Sequence, residues 1–342
     1  MSEAKLFTYV SLHDDEAIAI YEVNIATGRL ALRGHCQLHS SPSVLTANAA
    51  GNILYVAMRT SGNITTCHID AETGALTPIG TVETGLEDPG YLTIDRTGRF
   101  VITPYYISGK VTVYPIGEDG TLQGPPSTVR ETGLHAHGVA IDKSNKFAFV
   151  PHTCPTNAIF QFHFDSESGT LAPNAAPRIE APANTGPRHL IFRPDSRFAY
   201  ADNEQGSSVT AYRFDERNGT LEAVQTLPTL PEEYDGGNAC ARLEIHPSGR
   251  FLYAANRGHD SIAGFGIDHA TGALTGLGQF AAAKTPRGFG IDPSGRFLVA
   301  AGQSADRLLA YRINAETGYL TVLEKYETGA APWWVVLVAV GS

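Results

Sequence analysis

Apolar and polar residues alternate at period two along short runs of this chain. Phe251-Leu-Tyr-Ala-Ala, Ser261–Ile267, Leu274–Phe280 and Pro286–Ile291 follow one another, separated by Gly, Pro, Asp and Ser. Period two puts successive side chains on opposite faces, so these runs predict four β-strands. No long 3.6-residue pattern with helix caps accompanies them.

The strands belong to a repeat. A turn signal (T/D/S/N)-G-x-L occurs seven times, at Gly28, Gly74, Gly120, Gly169, Gly219, Gly272 and Gly318, with spacings of 46, 46, 49, 50, 53 and 46. Glycine suits the positive φ of a tight hairpin, and the leucine opens the next strand. A second signal lies between the glycines: DRTGRF from Asp95, DKSNKF from Asp142, RPDSRF from Arg193, HPSGRF from His246 and DPSGRF from Asp292. Its phenylalanine (Phe100, Phe147, Phe198, Phe251, Phe297) starts another strand.

Four strands per unit of about 46 residues is the period of a propeller blade. The expected fold is therefore all-β, a seven-bladed β-propeller with four antiparallel strands per blade. The ends complete it. Lys5–Leu12, Ala17–Asn24 and Arg29–Gln37 would be the three outer strands of one blade, and Trp333–Val340 its innermost. Pairing the two termini in one blade leaves neither as a free sheet edge. With no linker or composition break, residues 1–342 are expected to be a single domain.

In such a ring, equivalent positions of all blades surround one channel. The residue after the Pro-like start of each inner strand is Ser43, Gly90, His137, Arg188, Ala241, Arg287 or Trp333. The second strand runs back to the same face and ends at His13, Arg59, Tyr106, Thr153, Glu204, Arg257 or Gln303. These fourteen positions hold four arginines, two histidines and one glutamate. Converging arginines repel unless an anion compensates them, and each offers a planar fork to carboxylate or phosphate. The pattern points to a small anionic substrate bound by Arg59, Arg188, Arg257 and Arg287. Glu204 and His137 are the candidates for proton transfer. His13 and Gln303 are secondary candidates.

Composition narrows the partners. The net charge of −10 argues against nucleic acid, which needs a basic stripe. The longest apolar run, Trp333–Val340, is far too short to span a bilayer, so no membrane partner is expected. Cys36, Cys67, Cys154 and Cys240 are scattered without metal-ligand spacing. His135 and His137 form an H-x-H pair, but no carboxylate or cysteine lies nearby in sequence. Neither a metal nor a cofactor is expected. No G-x-S-x-G elbow occurs, so a covalent serine route is not indicated. Dispersed cysteines and an N-terminus without a basic-then-apolar leader predict a cytoplasmic protein.

GLHAHGVAID from Gly133, GPRHLIFRPDSRFAYADNEQGSSVTAYRF from Gly186, PSGRFLYAANRGHDSIAGF from Pro247 and PRGFGIDPSGRFLVAAGQS from Pro286 resemble the bacterial lactonase family. The likeness runs from about Lys5 to Val340. That family holds the propeller type of 6-phosphogluconolactonase and is related to a eukaryotic 3-carboxy-cis,cis-muconate cycloisomerase. The resemblance implies proton transfer by His137 and Glu204 and anion binding by Arg188 and Arg257, with Arg59 matched in the phosphogluconolactonase-like members. Trp333-Trp334 departs from the pattern, which has a smaller residue before the tryptophan. The expected activity is hydrolysis of an anionic sugar lactone, either 6-phosphogluconolactone or an aldaric acid lactone. The alternatives are a lactone-forming cycloisomerase acting on a carboxymuconate-type dicarboxylate and a non-catalytic binding scaffold.

Overall fold

A computed structural model of the protein describes residues 5–341. They form seven sheets of four strands, each sheet paired antiparallel and in chain order except one. The exception closes the ring: Pro332–Val340 lies innermost, beside Lys5–Leu12, Ala17–Val23 and Leu30–Gln37. Its register runs from Lys5 opposite Val340 to Ser11 opposite Trp334. The predicted strands in the last two blades are present at Phe251–Arg257, Ser261–Ile267, Leu274–Ala281 and Pro286–Ile291. Among the described residues the one helical element is a 3-10 turn at Gln303–Ala305. No helix there is long and apolar enough to cross a membrane.

Both turn signals lie at the face opposite the inner-strand starts. The seven signal glycines join the third and fourth strands of their blades, and all seven have positive φ, between 65° and 83°. They also lock neighbouring blades together. A Cβ on Gly272 would stand 2.3 Å from the Phe198 ring, and one on Gly318 would stand 2.5 Å from Phe251. Tyr200 and Tyr253 donate their hydroxyls to the carbonyls of those same two glycines, at 3.0 and 2.6 Å. In three of its five copies the second signal works through a leading aspartate. Asp95 Oδ1 accepts the N–H groups of Arg99 and Phe100, and Asp142 and Asp292 cap Phe147 and Phe297 likewise.

Between blades the sheet faces pack into apolar clusters. One joins Phe7, Ile18 and Tyr9 of the closing blade to Leu54, Val56 and Ile64 of the next. Burial on both faces explains the near-continuous apolar second strands, such as Ile53–Met58 and Phe297–Gly302. It also gives the ring a rigid wall on which loop residues can be aimed.

Candidate active site

The inner and second strands slip by a residue where the mouth begins. In five blades the register between them shifts at the position after the Pro-like residue, as between Pro187 and His189 or between Pro286 and Gly288. A bulge of this kind re-aims the extra side chain. Here the extra residues include Arg188, Arg287 and Trp333, and they turn toward the channel.

A cavity of about 100 Å³, open to solvent on one side, occupies this mouth. Arg59, Arg188, Arg287, His137, Glu204, Asp88 and Trp333 all line it. Arg257 stands just behind, with Nη2 3.1 Å from Glu204 Oε1 and 2.9 Å from the Cys240 carbonyl. His13 is not part of the lining but stacks on Trp333 at 4.6 Å. Gln303 opens the 3-10 turn away from the pocket, and Lys284 is an exposed loop residue.

Four guanidiniums here face two carboxylates. Glu204 is clamped, its Oε2 accepting Arg188 Nε at 2.8 Å and its Oε1 facing Arg257. Burial pushes its carboxyl up, but Arg188 and Arg257 outweigh burial and leave it below the usual range. It is a carboxylate at neutral pH. Arg188 has a side chain only 2% exposed, and burial pushes it down to about 10 despite Glu204. Asp88 pairs with Arg59 at 2.7 Å, yet burial raises its carboxyl overall and its Oδ1 has no partner.

Arg287 lacks any acidic partner among the described residues. Its guanidinium lies 3.7 Å over Trp333, and its Nε is buried without a hydrogen bond. Burial and then Arg188, Arg257 and Arg59 push it well below the usual range. Arg59 approaches the same indole at 4.9 Å.

His137 is held neutral. Burial, then Arg188 and Arg287, drive its imidazole well below the ordinary range. Its Nδ1 has no partner, and its ring meets Tyr106 and His189 edge-on at 5.6 and 5.0 Å. His135 does not join it as a ligand pair. It stacks flat on Tyr106 at 4.2 Å, bonded to the Cys154 carbonyl. Among the described residues no cluster of three His, Cys, Asp or Glu side chains is arranged to hold a metal.

Asp88 is the charged pocket residue that blade stacking at two rings overlooks. It occupies a third ring, the residue before the Pro-like position, together with Ser41, His135, Gly186, Ala239, Thr285 and Ala331. Five of these have positive φ, Asp88 at 59°. Asp tolerates that region better than most residues, which is the signal that was available.

The model of a family described as a seven-bladed β-propeller lactonase matches residues 5–337. The 6-phosphogluconolactonase of Pectobacterium carotovorum is 33% identical over 335 residues, covering 97% of this chain and 98% of that protein. The 6-phosphogluconolactonase of Klebsiella pneumoniae is 33% identical over 330 residues, with 96% and 94% covered. Among solved structures, the periplasmic gluconolactonase of Pseudomonas aeruginosa superposes with a TM-score of 0.90 at 27% identity, covering 98% of this chain and all of that one.

Proposed function

This chain belongs to the seven-bladed β-propeller lactonase family, and on that premise we propose that it hydrolyses an anionic sugar lactone to the open-chain acid. The observation that carries the anionic part is Arg287, a guanidinium pinned on Trp333 inside the pocket with no ion-paired carboxylate of its own among the described residues. A phosphate or carboxylate of the substrate supplies the missing charge. The positive charge left on Arg287 favours an anionic lactone over a neutral one.

His137 takes the proton of the attacking water, because burial and the arginines hold it neutral and it has an unpartnered nitrogen. The water oxygen bonds to the lactone carbonyl carbon. Arg188, fixed by Glu204, faces the oxyanion that develops. The carbon–ring-oxygen bond then breaks, and the ring oxygen leaves with the proton from His137. The arginines around the imidazole make its protonated form a strong acid, which speeds that return. The substrate anion partly neutralises the same arginines and restores some basicity when it binds. Glu204 touches the reaction as the carboxylate that aims Arg188 and Arg257 and accepts a hydrogen bond from water or substrate.

The four cysteines are free thiols. That suits a reducing compartment, so we place the protein in the cytoplasm.

A proton-release assay on 6-phosphogluconolactone, gluconolactone and the glucaro- and galactaro-lactones tests the reading. Acid release well above spontaneous hydrolysis on a charged lactone is expected. A rate no different from the blank on every lactone overturns it.

A further inference from the structure

Stacking the blades exposes one buried position that a single blade fills with charge. Two residues before the mouth residue of the second strand stand Ser11, Ala57, Pro104, Pro151, Asp202, Ala255 and Ala301. Asp202 is wholly buried. Its Oδ1 accepts the backbone N–H of His189 at 2.9 Å, and its Oδ2 has no partner.

The closing blade contains a control. Ser11, at the same position, accepts the N–H of Trp334 at 3.0 Å. Trp334 is the equivalent of His189. A hydroxyl therefore suffices to hold the inner strand beside its bulge. A carboxylate there adds a charge that the backbone does not require and that is costly to bury.

That charge lies under Arg188. Arg188 gives Nε to Glu204 at 2.8 Å, and its Nη1 sits 3.1 Å from His189 Nδ1. The same ring nitrogen is 3.6 Å from Asp202 Oδ1. One blade thus stacks Glu204, Arg188, His189 and Asp202, from the partly exposed mouth to the sealed interior. Glu204 is divided between Arg188 and Arg257, so one carboxylate serves two guanidiniums.

We propose that Asp202 is a positioning residue of this site: from beneath His189 it supplies the second counter-charge that holds Arg188 as a fixed cation at the mouth. This rests on the lactonase reading. The charged and titratable groups facing Asp202 are Arg188 and His189 on the inner strand, Glu204 on its own strand and Cys240 in the next blade. Burial pushes its carboxyl up to about 7 against the pull of Arg188. The counter-charge is therefore present on the alkaline side of neutrality and is lost as pH falls.

The test compares Asp202→Ser, the side chain the closing blade uses, and Asp202→Asn with the wild type. Both variants keep an acceptor for the His189 N–H and remove the charge. Circular dichroism and melting establish folding, and kcat and KM are read across neutral pH on whichever lactone the wild type hydrolyses. On the alkaline plateau both variants are expected to lose at least about tenfold in kcat/KM, chiefly in kcat, as misplacement of a positioned group does. The wild-type acid limb near neutrality flattens with them. Folded variants whose kcat, KM and pH profile match the wild type overturn the role of Asp202 and leave the lactonase reading standing. Absence of wild-type turnover on any lactone overturns the lactonase reading instead. Calorimetry with inorganic phosphate then decides on Asp202: weaker binding in both variants sustains it, and equal binding overturns it.

Discussion

Arg287 and Trp333 form a cation–aromatic pair with no ion-paired acid among the described residues, the guanidinium carbon 3.7 Å from the indole centroid. The two residues come from adjacent inner strands of the ring, Pro286–Ile291 and Pro332–Val340. The indole holds the guanidinium in place, while the missing carboxylate leaves its charge for the ligand.

Arg287→Ala is expected to lower kcat/KM by about ten- to a hundredfold, the worth of one hydrogen bond to a charged group. It should also raise the melting temperature of the ligand-free protein, because an uncompensated charge beside three other arginines is removed. Inorganic phosphate at low ionic strength should raise the wild-type melting temperature, but not that of the variant. A variant that melts lower and still responds to phosphate would show that Arg287 is a strut.

Glu204→Gln leaves Arg188 and Arg257 without their shared negative charge. Loss of one partner of a largely buried pair costs on the order of 3 kcal/mol. Turnover should fall by about a hundredfold or more, since both the aim of Arg188 and a charged hydrogen-bond acceptor for water or substrate are lost. Urea unfolding alongside steady-state kinetics checks both; retained turnover would remove Glu204 from the mechanism.

Acid should destabilise the fold as pH drops below the unfolded histidine value of about 6.5. His137, His189 and His152 are buried with depressed pKa values, His152 at about 4, so the unfolded chain binds protons that the native state refuses. Stability is therefore full above that pH and declines below it. Asp202 and Asp88 act in the opposite sense, because burial raises them and the native state binds their protons first. Asp202→Asn should steepen the decline by one proton, about 1.4 kcal/mol per pH unit. Urea midpoints measured from neutral pH to about pH 5 give the slope.

Gly272→Ala should cost roughly 2–4 kcal/mol, combining left-handed strain with overpacking against Phe198. Gly98→Ala has nearly the same φ, 72° against 71°, but open space around the new methyl. It should cost only the backbone strain of about 1–2 kcal/mol. Equal losses in denaturant titrations would mean that the glycine–phenylalanine contact is no latch.

The sequence alone determined the blade count, the strand order and the closure of the ring. Each of these follows from local rules that recur around the ring: glycine at positive φ and alternation at period two in all seven blades, and a turn-capping Asp in three. The same repeat placed Arg59, Arg188, Arg287, His137 and Glu204 around one mouth, because equivalent positions in a ring converge. Tertiary structure decided what each of them is. Whether an arginine is free, like Arg287, or neutralised, like Arg188, depends on partners from other strands and blades, and charge pairing has no period along the chain. His137 is neutral because guanidiniums from Arg188 and Arg287 crowd a buried ring. Asp88 and Asp202 escaped notice for the same reason. In sequence each is an ordinary aspartate, and only burial against particular cations makes one a pocket wall and the other a buried counter-charge.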